Sequence, residues 1–294
     1  MSIYLKIREM VAPMLYVAYK SLFSIKKRIM TTEETLEYII SNHVSISRYG
    51  DGELGIMNGQ SIGFQGNDNL LAKRLKEIAE SPVEKLLVCV PSMLVTLDGL
   101  KPESKSFWEG ELGMKYFLWA KMFSKHNLLG DAGISRFYID WKDGILRTQR
   151  ILPLWRKIWH NRDLIIVEGK STRLVVGNDI FLSAKSISRI LCPEKDAFKK
   201  YDLILSAIAE SYKEGALVII ALGPTATVLA YDLAKMNVWA IDIGHIDIEY
   251  EWYLMRAKNK VKIPFKATNE VGAATDVASI ENADYERQIK CWID

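Results

Sequence analysis

The sequence has few cysteines, no long apolar run and little net charge. Cys89, Cys192 and Cys291 are an odd, scattered set with no C-x-x-C pair. That spacing argues against a disulfide framework and against a structural zinc site, and it suits a reducing cytoplasm. The apolar stretch at residues 10–19 is interrupted by Pro13 and is too short to cross a bilayer. No small-residue cleavage site follows it, which argues against a secretory signal. Basic residues number 39 and acidic residues 36, a formal charge of +3. So mild an excess does not call for nucleic acid, and no nucleic-acid motif is present. Internal repeats and Pro/Ser-rich linkers are also missing. At 294 residues, with 49% hydrophobic and 26% charged content, the chain reads as an ordinary globular protein.

What is present begins with a basic, apolar leader. In residues 1–30, Lys6, Arg8, Lys20, Lys26, Lys27 and Arg28 are opposed only by Glu9. Such a segment suits an amphipathic helix lying on an anionic membrane surface, which would put a cytoplasmic protein on the inner face of the cell membrane. It equally suits a terminal helix packed on the domain or on a second subunit.

Beyond the leader, residues 31–294 read as one α/β domain. Thr31 with Glu34 three residues later forms a capping box that opens a helix. Short apolar runs at residues 45–49, 86–90, 164–167, 187–191, 217–222 and 238–243 read as strands. Helical patterns lie between them at residues 70–79, 202–212 and 228–236, and residues 100–160 read as largely helical with a break at 130–133. Strands alternating with helices predict a Rossmann-like, mostly parallel sheet covered on both faces. The centre of that pattern is residues 217–252, a strand, a Gly223-Pro224-Thr225-Ala226-Thr227 turn, a helix and a second strand. Such a turn offers N–H groups at a helix N-terminus, which favour an anion such as a phosphate.

In such sheets ligands sit beyond the carboxyl ends of the strands, and polar clusters occupy several of these ends here. In Arg48-Tyr49-Gly50-Asp51-Gly52-Glu53, an extended chain points Asp51 and Glu53 to one side. Two carboxylates so placed suit Mg²⁺ or Mn²⁺, and Arg48 suits phosphate. Asp242 stands about 20 residues after Gly223, where a dinucleotide fold keeps its ribose-binding acid. Yet the turn has one glycine where the nicotinamide fingerprint needs three, so a nicotinamide-dependent dehydrogenase is the second reading. Past Asp242, an extended chain puts His245, Asp247, Glu249 and Glu251 on one face, whereas a helix pairs His245 with Glu249. Lys170, Arg173, Asn178 and Arg136 are candidates for phosphate or ribose. Trp141, Trp155 and Trp159 offer faces for a sugar ring, though tryptophans at helical spacing also suit a core.

Taken jointly, RYGDGE (residues 48–53), ISRFYIDWKD (134–143), LIIVEGKSTRLVVGNDIF (164–181), CPEKDAF (192–198), LGPTATVLAYDLA (222–234) and AIDIGHIDIEYEW (240–252) resemble the GT-D type glycosyltransferases, bacterial enzymes of surface-glycoprotein and polysaccharide assembly. The resemblance runs in order from about Thr32 to about Lys266. It implies one Rossmann-like domain, a UDP-sugar donor, a divalent metal (Mn²⁺ by family habit) and a D-x-E motif that matches Asp51-Gly52-Glu53. It further implies that the Gly223-Pro224-Thr225 turn meets the donor, and that the hydroxyl of a lipid- or protein-linked glycan is the acceptor. For a base to accept the acceptor proton, Asp247 and Glu249 are the first choices, with His245 as base or ligand. Val175 departs from the pattern, standing where a second glycine is expected. A third reading is a non-catalytic scaffold tethered to a membrane by residues 1–30.

Overall fold

A computed structural model describes residues 3–272 and 282–294. Its sheet is built from β1 (Ser45–Arg48), β2 (Leu86–Val90), β3 (Gly130–Asp131), β4 (Asp163–Gly169), β5 (Ser186–Cys192), β6 (Leu217–Ala221), β7 (Ala240–Asp242) and β8 (Ile289–Trp292). These lie in the order β3-β2-β1-β7-β6-β4-β5-β8, and every pairing is parallel. Around the sheet are α1 (Ile3–Leu22), α2 (Thr32–Asn42), α3 (Asp51–Met57), α4 (Asn69–Glu80), α5 (Pro102–Met122), α6 (Gly144–Trp159), α7 (Tyr201–Ser211), α8 (Pro224–Lys235), α9 (Ile246–Leu254) and α10 (Ala283–Gln288).

Burial explains why the strand sequences read as unbroken apolar runs. In β4 and β6, Ile166 and Ile219 enter one core, while Ile165, Val167, Val218 and Ile220 enter another on the opposite face. Side chains alternate across a strand, so a sheet covered on both faces needs apolar residues at every position. Trp155 and Trp159 belong to this packing. Both are fully buried, their rings stack at 5.5 Å, and their indole N–H groups donate to Ile134 O and Ile180 O. They are core residues and not sugar platforms. The capping box at Thr31 is formed as read, with Glu34 N donating to Thr31 Oγ1 and Thr31 N to Glu34 Oε2.

The leader helix α1 lies along α5. Ala12 and Tyr16 are buried, and the Tyr16 hydroxyl donates to Met93 O at 3.0 Å. Met14, Val17 and Leu22 point outward. No helix among the described residues is long and apolar enough to cross a membrane.

Two local expectations need correction, and one open alternative is decided. Residues 51–57 are helical, so Asp51 and Glu53 do not share the face of an extended strand. α8 begins at Pro224, directly after Gly223, so Thr225 and Thr227 sit in the first helical turn and not in an open loop. Residues 246–254 are helical, which is the second of the two geometries open for that segment.

Candidate functional site

A cavity of about 880 Å³ opens at the carboxyl edge of the sheet. Its walls come from the ends of β1, β2, β4, β5, β6 and β7 and from the start of α5. Of the residues singled out in the sequence, Arg48, Gly50, Asp51, Glu53, Arg136, Trp141, Gly223, Asp242, His245 and Asp247 line it. Lys170, Arg173, Asn178, Pro224, Thr225, Thr227 and Glu249 are not in its lining.

Glu53 folds back over the first turn of α3, and Gly50 N donates to its Oε2 at 2.8 Å. This N-terminal cap is why a Gly-Asp-Gly-Glu run starts a helix here and does not extend the strand. Burial pushes the Glu53 carboxyl up to about 7, the nearby Asp242 charge adds to that, and the Gly50 N–H and Arg48 pull the other way. Asp51, one position into the helix, is exposed. Among the described residues no group of three or more His, Cys, Asp or Glu is placed to hold a metal. Both carboxylates line the cavity, and a hard cation there would take one or two of them and fill the rest of its shell with phosphate oxygens and water.

Arg48 is committed elsewhere. Its Nε donates to Asp242 O at 2.8 Å, NH1 to Ala132 O and Ser135 Oγ, and NH2 to Asp242 Oδ1 at 3.0 Å. A guanidinium has five N–H donors, so one remains for a ligand. The other oxygen of Asp242 accepts from Arg48 N at 3.3 Å and lies 3.2 Å from Thr227 Oγ1, whose hydroxyl donates to Arg48 O at 2.9 Å. With both oxygens engaged and the residue buried, Asp242 is a tie between β7 and β1 and not a free ribose acceptor. Gly244 makes this possible. Its φ is +52°, and a Cβ there would collide with the Arg48 guanidinium.

The β6–α8 turn is closed in a similar way. Gly223 has φ +52°, and the Phe64 ring lies where a Cβ would stand. Thr225 and Thr227 are fully buried, and Thr225 Oγ1 has no hydrogen-bond partner. Only Gly223 of this turn reaches the cavity, so the turn does not present an open row of N–H groups.

The acids past β7 divide into structural and accessible groups. Asp247 Oδ1 accepts from Val175 N (3.0 Å), Asn178 Nδ2 (2.7 Å) and Lys266 Nζ (3.0 Å), and Oδ2 accepts from Lys266 at 2.8 Å. Glu251 joins this network through Asn178 and Lys266. Glu249 is fully buried, and its Oε2 accepts from Tyr138 N at 2.8 Å and Ile139 N at 3.0 Å. Burial pushes its carboxyl up to about 7 against the pull of Arg136 and those two N–H groups, and its Oε1 has no partner. Neither acid is free to take a substrate proton. Val175 N reaches Asp247 only because Val175 adopts φ +61°, a left-handed conformation natural to the glycine that the pattern leads one to expect. Lys170 is turned to Asp294 and the Trp292 ring, and Arg173 donates to Phe265 O at 2.8 Å.

His245 is the accessible member. Its side chain is a quarter exposed, and Nδ1 lies 3.0 Å from Glu270 Oε1, which also accepts from Arg136 NH2 at 2.9 Å. Burial holds His245 below the usual imidazole range, with Arg136 and Arg48 acting in the same direction and Glu270 against it. Burial alone would raise Glu270, but His245 and Arg136 outweigh it and hold the carboxyl well below its ordinary value. A carboxylate at Nδ1 fixes the proton there and leaves Nε2 as the basic nitrogen. Glu270 was not visible in the sequence because it lies 16 residues beyond the end of α9 at Leu254, in a stretch without periodicity. Only tertiary contact brings it to the site.

Known proteins place this geometry in a family. The model described as "Glycosyltransferase GT-D fold" matches residues 46–271. A solved structure described as the conserved domain of unknown function 1792, with a distinct glycosyltransferase fold, superposes with a TM-score of 0.89 at 37% identity, covering 95% of this chain and 100% of that one. A second, described as a new glycosyltransferase from Streptococcus sanguinis, gives a TM-score of 0.86 at 35% identity, covering 90% of this chain and 99% of that one. Glycosyltransferase GlyD of Streptococcus pneumoniae serotype 4 is 38% identical over 258 residues, 87% of this chain and 31% of that protein. The chain thus spans about a third of the length of the curated relatives it matches. Asp242, the acid on which the nicotinamide reading depended, is not available for a ribose. By sequence across most of its length and by fold, the chain belongs to the GT-D fold family of glycosyltransferases.

Proposed function

We propose that this chain transfers a hexose from a UDP-sugar to a hydroxyl of a glycan acceptor, with Mn²⁺ or Mg²⁺ held by Asp51 and Glu53. The observation that carries this reading is the gathering of Asp51, Glu53, Arg136 and the His245–Glu270 pair around one nucleotide-sized cavity. The UDP moiety and the glycan acceptor rest on the resemblance of the motifs, and family membership supports the transfer reaction itself.

When bound, the cation would neutralise charge on the departing diphosphate as a Lewis acid. Arg136, fixed by Glu270, adds positive charge that is in place before the bond breaks. Glu270 orients the imidazole through Nδ1, and burial keeps His245 neutral near pH 7, so Nε2 can accept the proton of the attacking hydroxyl. Asp247 and Glu249 serve by holding the 175–178 and 138–139 segments in place. For the leader, the buried inner face of α1 supports a terminal helix docked on its own domain.

UDP release from a panel of UDP-sugars, with Mn²⁺ and with EDTA, tests the reading. Turnover should require the cation and should fall roughly 100-fold or more in Asp51→Ala. Turnover indifferent to EDTA in both proteins contradicts the metal role.

A further inference from the structure

One part of the cavity wall, a second lobe, comes from residues that the reaction centre does not use. Its walls are the start of α5, the 139–141 segment and residues 258–260. Asp140 ties these three together. Its Oδ1 accepts from Ser104 Oγ at 2.8 Å and lies 3.1 Å from Lys260 Nζ, while Asp140 O accepts from Lys101 N at 2.9 Å. Lys101 Nζ in turn donates to Lys258 O at 2.9 Å. The lobe is therefore a built structure and not a gap between loops.

Its interior combines an aromatic surface with open hydrogen-bonding groups. Trp108 and Phe107 meet edge to face at 5.5 Å on the cavity side of α5, and Phe107 is 49% exposed. The Trp108 indole N–H donates to no described residue. Asp140 Oδ2 accepts from no described residue. An unsatisfied indole donor, a free carboxylate oxygen and a lysine rim beside an aromatic face suit a polyhydroxylated ring. Its apolar C–H surface can lie on the indole while its hydroxyls reach the polar groups. Trp155 and Trp159, which also offered sugar platforms in the sequence, are sealed in the core, whereas Phe107 is exposed and Trp108, half-buried with its inner side on the core, lines the cavity.

We propose that this lobe, centred on Trp108 and Asp140, is the acceptor subsite and binds a hexose ring of the acceptor glycan. The assignment rests on the glycosyl-transfer reading above, since it gives the second substrate a place in the same cavity as His245. Trp108 supplies the platform. Asp140 Oδ2 receives sugar hydroxyls, and its other oxygen holds Ser104 and Lys260 in register.

The test is titration of the full chain, with UDP and diamagnetic Mg²⁺ present, against p-nitrophenyl α- and β-glycosides of glucose, galactose, N-acetylglucosamine and N-acetylgalactosamine, read by saturation-transfer NMR. At least one glycoside should bind. Trp108→Ala should weaken it about tenfold or more, the effect of losing a central aromatic contact. Asp140→Asn keeps the Oδ1 ties but replaces the open acceptor with a donor, and it should weaken binding as well. Phe117→Ala, on the outer face of the same helix, should bind as wild type does. Unchanged affinity in both Trp108→Ala and Asp140→Asn overturns the assignment, and so does failure of the wild-type protein to bind any glycoside. UDP binding, followed in the same titration, reports separately on the donor reading.

Discussion

Replacing Glu249 with glutamine separates a structural acid from a catalytic one. In the folded chain this carboxyl is fully buried and is pushed up to about 7 from an ordinary value of 4.5, chiefly by burial. A folded-state value above the unfolded one means that the native protein binds the proton more tightly. Stability is therefore greatest at low pH and is lost as pH rises from the unfolded value through about 7. Between about pH 5 and about pH 8.5 that loss amounts to about 2–3 kcal/mol. Glutamine does not titrate. Its carbonyl oxygen can still accept from Tyr138 N and Ile139 N, but its amide group then stands where Oε1 has no partner, at a cost of about 1–3 kcal/mol. Urea unfolding, followed by tryptophan fluorescence at a series of pH values, measures the difference between Glu249→Gln and wild type. The variant should be the less stable at about pH 5 and should gain about 2–3 kcal/mol relative to wild type by about pH 8.5. Comparing the two proteins cancels other titrating groups, Glu53 among them. A difference that does not change with pH refutes the account of Glu249 as a buried, costly carboxylate. It would also reopen Glu249 as a base.

Other expectations follow from the same contacts. Val175→Gly relieves a β-branched residue at φ +61° worth about 1–2 kcal/mol, partly offset by about 0.5–1 kcal/mol of glycine entropy, so the thermal midpoint should rise slightly. A fall of several degrees would show that Val175 contributes more by packing than it costs in strain. Lys266→Met leaves the buried Asp247 and the half-buried Glu251 without their cation and should destabilise by about 3–5 kcal/mol in denaturant unfolding. A loss below about 1 kcal/mol would mean that Asn178 and Val175 N suffice for Asp247. Glu270→Gln should lower kcat with little change in UDP affinity, and it should shift the acid limb of the rate profile to lower pH, because the carboxylate that favours the imidazolium is gone. An unshifted limb in an otherwise active variant contradicts the role of Glu270.

The parts of the fold that were legible in the sequence are those governed by local apolar pattern. Residues 86–90 read as a strand and form β2 with the same bounds, because a buried parallel strand needs an unbroken apolar run. β3, two residues long, and β8, with Ile289 and Cys291 half-buried and Trp292 exposed, carry no such run and were invisible. The site was legible as a set of strand ends but not as a set of roles. Whether Gly50-Asp51-Gly52-Glu53 extends or coils depends on one hydrogen bond, from Gly50 N to Glu53. The acids after Asp242 were correctly located, but their partners, Lys266 and the amides of Tyr138 and Ile139, come from distant segments. Only those contacts reveal that Asp247 and Glu249 are occupied. Glu270 has no sequence signature at all, since its importance lies in meeting Arg136 and His245.

The central claim is that Asp51 and Glu53 hold a divalent cation against the diphosphate of a nucleotide sugar. Crystals soaked with UDP and Mn²⁺ and measured at the manganese absorption edge test it most directly. The account predicts an anomalous peak between these carboxylates and the UDP phosphates, lost in Asp51→Ala. A peak at another site, or UDP bound with no manganese beside Asp51 and Glu53, would contradict it.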